Sequence, residues 1–195
     1  MKKFAIISSA FLVLSAFTAA VSTTWQNDDM HSQLSFTVTH LGINDISGTF
    51  NDVDVTVQST KADFSDASFE LTAKTASIDT RVEPRNKHLK SADFFDVETY
   101  PTLNFKSTGI KAAGKNQYKL TGDLTIHGVT KPVTMNLLYK GTVENPMSKK
   151  PTAAFQISGT IKRTDFGVGE KFPSGMVSDE VRIKADGEFG LSEAK

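Results

Sequence analysis

The sequence predicts an all-β fold, an antiparallel barrel of about eight strands, from three observations. Apolar residues recur at every second position through most of residues 34–189, the period of a strand with one dry and one wet face. Several glycines lie in phase with the dry face, where they let a sheet curl. The chain has 14 phenylalanines but 3 tyrosines and 1 tryptophan, which indicates a large interior without polar groups.

The strands follow one another along the chain with turn residues between many of them. The alternating segments are residues 34–40, 53–57, 69–73, 103–105, 118–126, 133–139, 155–161 and 181–189. Alternation alone allows either a barrel or a sandwich of two sheets. Gly48, Gly122, Gly159 and Gly187 each stand two residues before an apolar side chain on the same face. Inward glycines allow sharp bends, so their placement favours the barrel.

One segment breaks the strand pattern and predicts a short helix. Thr80 and Glu83 have the spacing of a capping box, and Pro84 suits the first helical position. We expect a helix over residues 84–91, with Arg85 and Leu89 on one face. A lone helix between long β segments closes a barrel end or covers a sheet edge.

The first 22 residues have the three-part pattern of a secretory signal. Two lysines precede an uncharged apolar stretch, residues 4–20, and small residues follow it. Cleavage is expected after Ser22, with a cut after Ala20 and an uncleaved anchor as the alternatives. The sequence therefore predicts an exported, periplasmic protein of residues 23–195, without a membrane span after cleavage.

Composition and motifs exclude several classes of chemistry. Lys+Arg and Asp+Glu both number 22, so the broad basic field that nucleic-acid binding needs is absent. The chain has no cysteine, hence no disulfide, cysteine-based metal site or thiol nucleophile. Its histidines, His31, His40, His88 and His127, show no metal-ligand spacing, and no catalytic or phosphate-binding motif occurs. We expect no cofactor and no metal.

Several motifs, in order along the chain, resemble the YceI-like family. Residues 25–42 read W-x-x-D-x-x-H-S-x-L-x-F-x-V-x-H-L-G, and residues 85–96 read R-N-x-H-L-K-S-x-D-F-F-D. The later segments are S-I-D-T at 77–80, Y-P-x-L-x-F-x-S-T at 100–108, G-D-L-T-I-H-G-V-T-K-P-V at 122–133 and R-x-D-F-G at 163–167. One departure is Asn86, where the family usually has an aspartate, so a charge is missing near the expected mouth.

The resemblance implies an extended lipocalin-like barrel closed at one end by a helical segment. It also implies an exported protein that binds an isoprenoid quinone, another polyisoprenoid or a fatty acid or amide inside a tunnel, without a cofactor. Members of the family include homodimers, whereas the strand pattern itself says nothing about oligomeric state. Because fold does not dictate function, the ligand stays open.

The residue pattern and the resemblance together suggest particular side chains for a ligand site. The large apolar residues in phase with the dry face, expected to line the tunnel, are Leu34, Phe36, Val38, Phe50, Leu103, Phe105, Leu120, Leu124, Phe155 and Phe189. Leu89, Phe94 and Phe95 are expected to close the helix end. His40, Arg85 and His88 are candidates for contacts with a polar head group. A barrel filled by its own side chains is the competing interpretation.

Three hypotheses about function follow from different classes. The first, which we favour, is a periplasmic lipid carrier or sequestering protein, and its basis is the phenylalanine-rich interior. The second is a lipid-modifying enzyme, which would need an inward acid/base pair such as His40 with a carboxylate. The third is a stress-related binding module with a filled barrel, whose outer surface would use Trp25.

Overall fold

The computed structural model of the protein describes residues 21–192, so nearly all of the predicted signal segment lies outside the described residues. Within them no helix has both the length and the apolar character to cross a bilayer. The strands are β1 (Thr23–Asn27), β2 (Gln33–His40), β3 (Asn44–Phe50), β4 (Val53–Ser59), β5 (Ser68–Lys74), β6 (Ile78–Asp79), β7 (Thr102–Gly114), β8 (Gln117–Ile126), β9 (Val129–Glu144), β10 (Pro151–Lys162) and β11 (Glu180–Leu191), and the helix is α1 (Glu83–Lys90).

Eight of these strands close into an antiparallel ring. Their order is β1, β4, β5, β7, β8, β9, β10 and β11, and β11 returns to β1. The other end of β11, Arg182–Asp186, pairs with β2, so β2, β3 and β6 extend the wall at one end of the barrel. The predicted antiparallel barrel is confirmed, and the alternative of two packed sheets is wrong.

Three strands, β1, β3 and β6, are absent from the segments predicted by alternation, and two of them, β1 and β6, are too short to show it. The strand β1 presents only one large apolar side chain, that of Trp25, to the interior. The strand β6 has two residues and exists through its pairing with Thr49 and Phe50 of β3. Neither is long enough to show a period of two.

The helix begins one residue earlier than predicted, and the predicted capping box is wrong. Its N-cap is Val82, which makes no side-chain hydrogen bond. The hydroxyl of Thr80 instead donates to Oδ1 of Asn86 at 2.6 Å, and the Thr80 N–H donates to the same atom at 2.8 Å. The buried amide of Asn86 therefore joins the helix to the end of β6.

One end of the barrel is filled by aromatic side chains. The loop at residues 60–67 turns inward there and buries Phe64, whose ring centroid lies 4.9 Å from that of Phe155 and 5.5 Å from that of Trp25. Trp25 is 8% exposed. The expectation that Trp25 forms an outer binding surface is wrong, because its side chain lies inside the barrel and packs edge to face against Phe64.

The inward glycines make room for large neighbours. A Cβ atom at Gly122 would lie 2.5 Å from the ring of Phe105, and one at Gly159 would overlap the sulfur of Met135. Strands β8 and β10 thus leave gaps that a ring and a thioether occupy, which is close packing rather than empty space.

Asp186 joins three strands on the outer face of the barrel. It accepts hydrogen bonds from Lys140 of β9 at 2.8 Å and Gln156 of β10 at 2.7 Å, and Lys184 lies 2.8 Å away. Partial burial alone would raise the pKa of Asp186, but these donors outweigh it and lower the pKa to about 2. Because the pKa is lower in the folded state than in the unfolded state, Asp186 stabilises the fold at every pH above its unfolded-state pKa. This contribution is lost as the pH falls through the folded-state pKa of about 2.

We expect Asp186→Asn to lower the free energy of unfolding by about 1 kcal/mol at neutral pH, a figure discounted for solvent exposure. The difference from wild type should shrink as the pH falls towards 2, because Asp186 takes up a proton there and loses the charge that Asn lacks. Urea denaturation across this pH range measures it, with Asp123→Asn, at an exposed position of β8, as the matched control. A difference that does not depend on pH would contradict the electrostatic cause.

Candidate functional site

A cavity of about 370 Å³ lies inside the barrel, at the end next to α1. Its volume is in the range of small-molecule sites, roughly 300–1,000 Å³. The wall is formed by β2 and β3, by α1, by the ends of β7, β8 and β10, by the start of β11, and by the loop at residues 163–177. Most of the lining side chains are apolar, so the cavity suits an apolar ligand.

Most of the residues predicted to line a tunnel lie against this cavity. They are Leu34, Phe36, Val38, Phe50, Leu103, Phe105 and Leu124. Phe36 and Phe50 form an aromatic pair with their ring centroids 5.7 Å apart. That these side chains contact a lipid stays a prediction.

Three residues of the predicted tunnel lie outside the lining of the cavity. Leu120, Phe155 and Phe189 are buried in the core at the filled end. Phe155 packs against Phe69, Phe189 and Phe64, with ring centroids 4.9–5.4 Å apart. Their side chains are buried in the interior of the barrel, where the inward ring of Phe64 packs against Phe155. The cavity is therefore confined to one half of the barrel.

The three residues predicted to close the helix end do border the cavity. Leu89, Phe94 and Phe95 all contribute to its wall. Phe95 meets Phe50 edge to face at 5.6 Å, and Phe94 stacks on Phe172 at 4.8 Å. These ring contacts join the helical segment both to β3 and to the loop at residues 163–177.

Together with His88, Arg85 is a polar residue of α1 that borders the cavity. Its Nε atom donates to the hydroxyl of Thr80 and its Nη2 atom to the carbonyl of Thr80, both at 2.7 Å. Among the described residues it forms no ion pair, and its Nη1 atom has no hydrogen-bond acceptor. Both hydrogen bonds join the first turn of α1 to Thr80, the residue that follows β6.

The two histidines predicted to contact a head group both border the cavity but differ in their partners. Nε2 of His88 lies 3.4 Å from a carboxylate oxygen of Asp93, and its ring packs edge-on against Phe94 and Phe172. His40 lies at the end of β2, and its imidazole has no hydrogen-bond partner among the described residues. No cluster of three or more metal-ligating side chains occurs within residues 21–192.

Arg163 organises the loop that borders the cavity, a role that the sequence analysis did not assign. It is 5% exposed and lies directly after β10. Its guanidinium donates five hydrogen bonds of 2.5–3.2 Å to backbone carbonyls, those of Val168, Gly169, Phe172, Val177 and Ser178. The only signal in the sequence was an arginine between an alternating strand and a glycine-containing loop, which predicts no such contacts.

The turn between β2 and β3 forms an exposed apolar rim beside the cavity. Leu41 and Gly42 both have positive φ angles, 51° and 69°, as in the hairpin turns that favour Asn-Gly. Leu41 is 55% exposed and Ile43 is 86% exposed. The backbone N–H of Leu41 donates to the carbonyl of Met176 at 3.0 Å, so the turn is attached to the loop at residues 163–177.

We expect Leu41→Asn to stabilise the protein by about 1 kcal/mol, because asparagine tolerates the left-handed conformation better than leucine. The exposed leucine side chain loses little contact, so strain relief dominates. Chemical denaturation measures the change in stability. The control is Ile43→Asn, at the last residue of the same turn, where φ is not positive. A destabilised Leu41→Asn variant would show that the leucine side chain packs against the rim.

Comparison with known proteins identifies the family. The sequence profile of the YceI-like domain matches residues 25–189. The chain belongs to the YceI-like family. This YceI-like chain is 38% identical over 170 residues to a UPF0312 protein of Pseudomonas putida strain W619, covering 86% of this chain and 87% of that one. It is 32% identical over 170 residues to a UPF0312 protein of Staphylococcus aureus strain N315, with 85% and 96% covered.

Solved structures of similar proteins have the same architecture. The YceI-like barrel matches Burkholderia cenocepacia BcnA with a TM-score of 0.73 and 30% identity, over 83% of this chain and 98% of that one. It also matches a polyisoprenoid-binding domain from Saccharophagus degradans, described as implicated in plant cell wall breakdown, with a TM-score of 0.64 over 87% and 99% of the two chains. At 15% identity, the second match supports the fold alone.

Proposed function

We propose that this YceI-like protein binds a long apolar lipid in the barrel cavity and acts as a periplasmic carrier or sequestering protein. The cavity of about 370 Å³ with its nearly apolar wall is the observation that carries the proposal. A dry cavity gains binding energy from each apolar group that a ligand buries there. An isoprenoid quinone, a polyisoprenoid and a fatty acid or amide all have the required tail.

The two other functions have less support. The surface-binding module depended on Trp25, which is buried. A lipid-modifying enzyme would need a carboxylate beside His40, and among residues 21–192 no aspartate or glutamate lines the cavity. No observation therefore favours either of them over a binding protein.

Native mass spectrometry of protein purified from its own periplasm tests the proposal, followed by organic extraction and identification of the lipid. We expect one bound isoprenoid, quinone or acyl compound per chain, released on extraction. Protein that is repeatedly empty, and that also fails to take up added lipids, would contradict lipid binding.

Export is tested on the same material. We expect the protein in the periplasmic fraction, with a mature N-terminus at Thr23 if cleavage follows Ser22, or at Val21 if it follows Ala20. Protein that stays in the cytoplasm and begins at Met1 would contradict the periplasmic role.

A further inference from the structure

The deep end of the cavity, opposite α1, is closed by the ring of Phe155. Along β10 the inward side chains of Ile161 and Ile157 line the cavity, whereas Phe155, two residues further on the same face, does not. On β8 the boundary falls between Leu124, which lines the cavity, and the fully buried Leu120. Phe155 is therefore the first ring below the open space, and we call it the floor of the cavity.

The floor is supported from below by a cluster of rings. The ring centroid of Phe155 lies 4.9–5.5 Å from those of four other aromatic residues, which are Phe64, Phe69, Tyr139 and Phe189. Phe155 is 2% exposed. A ligand tail that pushed the floor aside would have to displace this cluster, which is costly because protein interiors are close-packed.

The loop at residues 60–67 holds the lowest ring of this cluster in place. Phe64 has a φ angle of 57°, which is uncommon for a bulky residue and persists only where surrounding contacts enforce it. On one side of it, the hydroxyl of Tyr118 donates to the carbonyl of Asp63 at 2.7 Å. On the other, the carboxylate of Asp66 accepts from the hydroxyl of Ser59 at 2.5 Å. The loop is thus anchored on both sides of Phe64.

The space above the floor holds a limited length of tail. At about 30 Å³ for a group the size of a water molecule or a methylene, the cavity of about 370 Å³ has room for roughly a dozen carbon atoms. Each methylene buried there tightens binding about fourfold. A methylene that stays outside the barrel keeps its water and contributes little.

We propose that Phe155 fixes the length of lipid tail that the protein encloses, at roughly a dozen carbon atoms, and that any further carbons stay outside the barrel. This inference rests on the proposed lipid-binding function and adds a residue that determines specificity. A tail that ends at the floor gains all the affinity that the cavity offers. An isoprenoid quinone with a much longer tail gains no more.

A series of fatty acids tests the proposal on delipidated protein by isothermal titration calorimetry. The even-numbered saturated acids from octanoate to stearate share one head group, so only the tail varies. We expect the dissociation constant to fall about fourfold per added methylene up to roughly dodecanoate and then to level off. The chain length at which the fall stops is the break.

Three variants assign the break to the floor. Phe155→Ala removes the ring, so the break should move to tails about three carbon atoms longer. Ile157→Trp adds bulk directly above the floor and should move the break about two carbon atoms in the other direction. Because it fills space rather than opening a void, it tests the proposal even if Phe155→Ala does not fold.

The matched control is Trp25→Leu, which removes a ring from the same filled end. Trp25 packs against the ring of Phe64 at 5.5 Å, so Phe64 lies between it and the floor. The control should lose stability but keep the wild-type break, a readout that a merely structural role of Phe155 would not move. Thermal unfolding and circular dichroism establish that each variant is folded.

The outcomes separate this inference from the proposed function. A wild-type dissociation constant that keeps falling as far as stearate would overturn the fixed length while leaving lipid binding intact. A break that stays in place in the folded floor variants, or that moves equally in Trp25→Leu, would overturn the role of Phe155. Absence of binding for the whole series would contradict lipid binding itself.

Discussion

Replacing Phe36 by aspartate is expected to weaken lipid binding at least a hundredfold. Phe36 lines the cavity and packs against Phe50, and its ring occupies the space that the missing side chain of Gly48 leaves free. An aspartate would shorten the side chain and place a carboxylate on an apolar wall, where burying an uncompensated charge costs several kcal/mol. A ligand tail could bind only by removing water from that carboxylate.

The measurement is titration with the lipid recovered from the native protein, alongside two controls. Thr37→Asp introduces the same charge one residue along β2, on the opposite face of the strand. Phe36→Leu keeps an apolar side chain at the original position. Both controls should bind within a few-fold of wild type. A folded Phe36→Asp variant with wild-type affinity would show that Phe36 does not contact the ligand.

The alternating pattern predicted most strands because each strand buries one face, and the inward glycines favoured a barrel over two packed sheets. In β2, for example, Leu34, Phe36 and Val38 all face the cavity, as a period of two requires. The same pattern could not distinguish residues that line the cavity from residues packed in the core. Phe155 and Phe36 look alike in the sequence, yet the ring of Phe64 lies against the first and open space lies beside the second.

The features that could not be predicted from the sequence depend on contacts between residues that its local patterns do not relate. The residue Phe64 lies in a loop and shows no strand period, so its burial beneath Trp25 follows only from the closed ring. The Thr80 hydroxyl has two partners within reach, the helix backbone and the Asn86 side chain, and residue spacing does not say which one it binds. Local patterns therefore predicted direction and element type, while tertiary packing decided partners.

The replacement of Arg163 by methionine is expected to destabilise the protein by about 3–5 kcal/mol, the largest change in stability that we predict. The side chain is buried and its five donors satisfy carbonyls spread over residues 168–178. Methionine fills a similar volume but donates nothing, so these acceptors lose charged hydrogen bonds worth roughly 1.5–3 kcal/mol each. Carbonyls near the surface form hydrogen bonds to water instead, so the total destabilisation is smaller than the sum over the five bonds.

Urea denaturation measures the loss, and Arg182→Met is the matched control. Arg182 is an exposed arginine paired with Asp45 on the surface, so its replacement should cost no more than about 1 kcal/mol. Hydrogen exchange of residues 164–178 should accelerate in the Arg163 variant and stay unchanged in the control. Because Phe166, Phe172 and Val177 of this loop line the cavity, lipid affinity should fall as well. Equal stabilities of the two variants would mean that the loop is held by its apolar contacts rather than by Arg163.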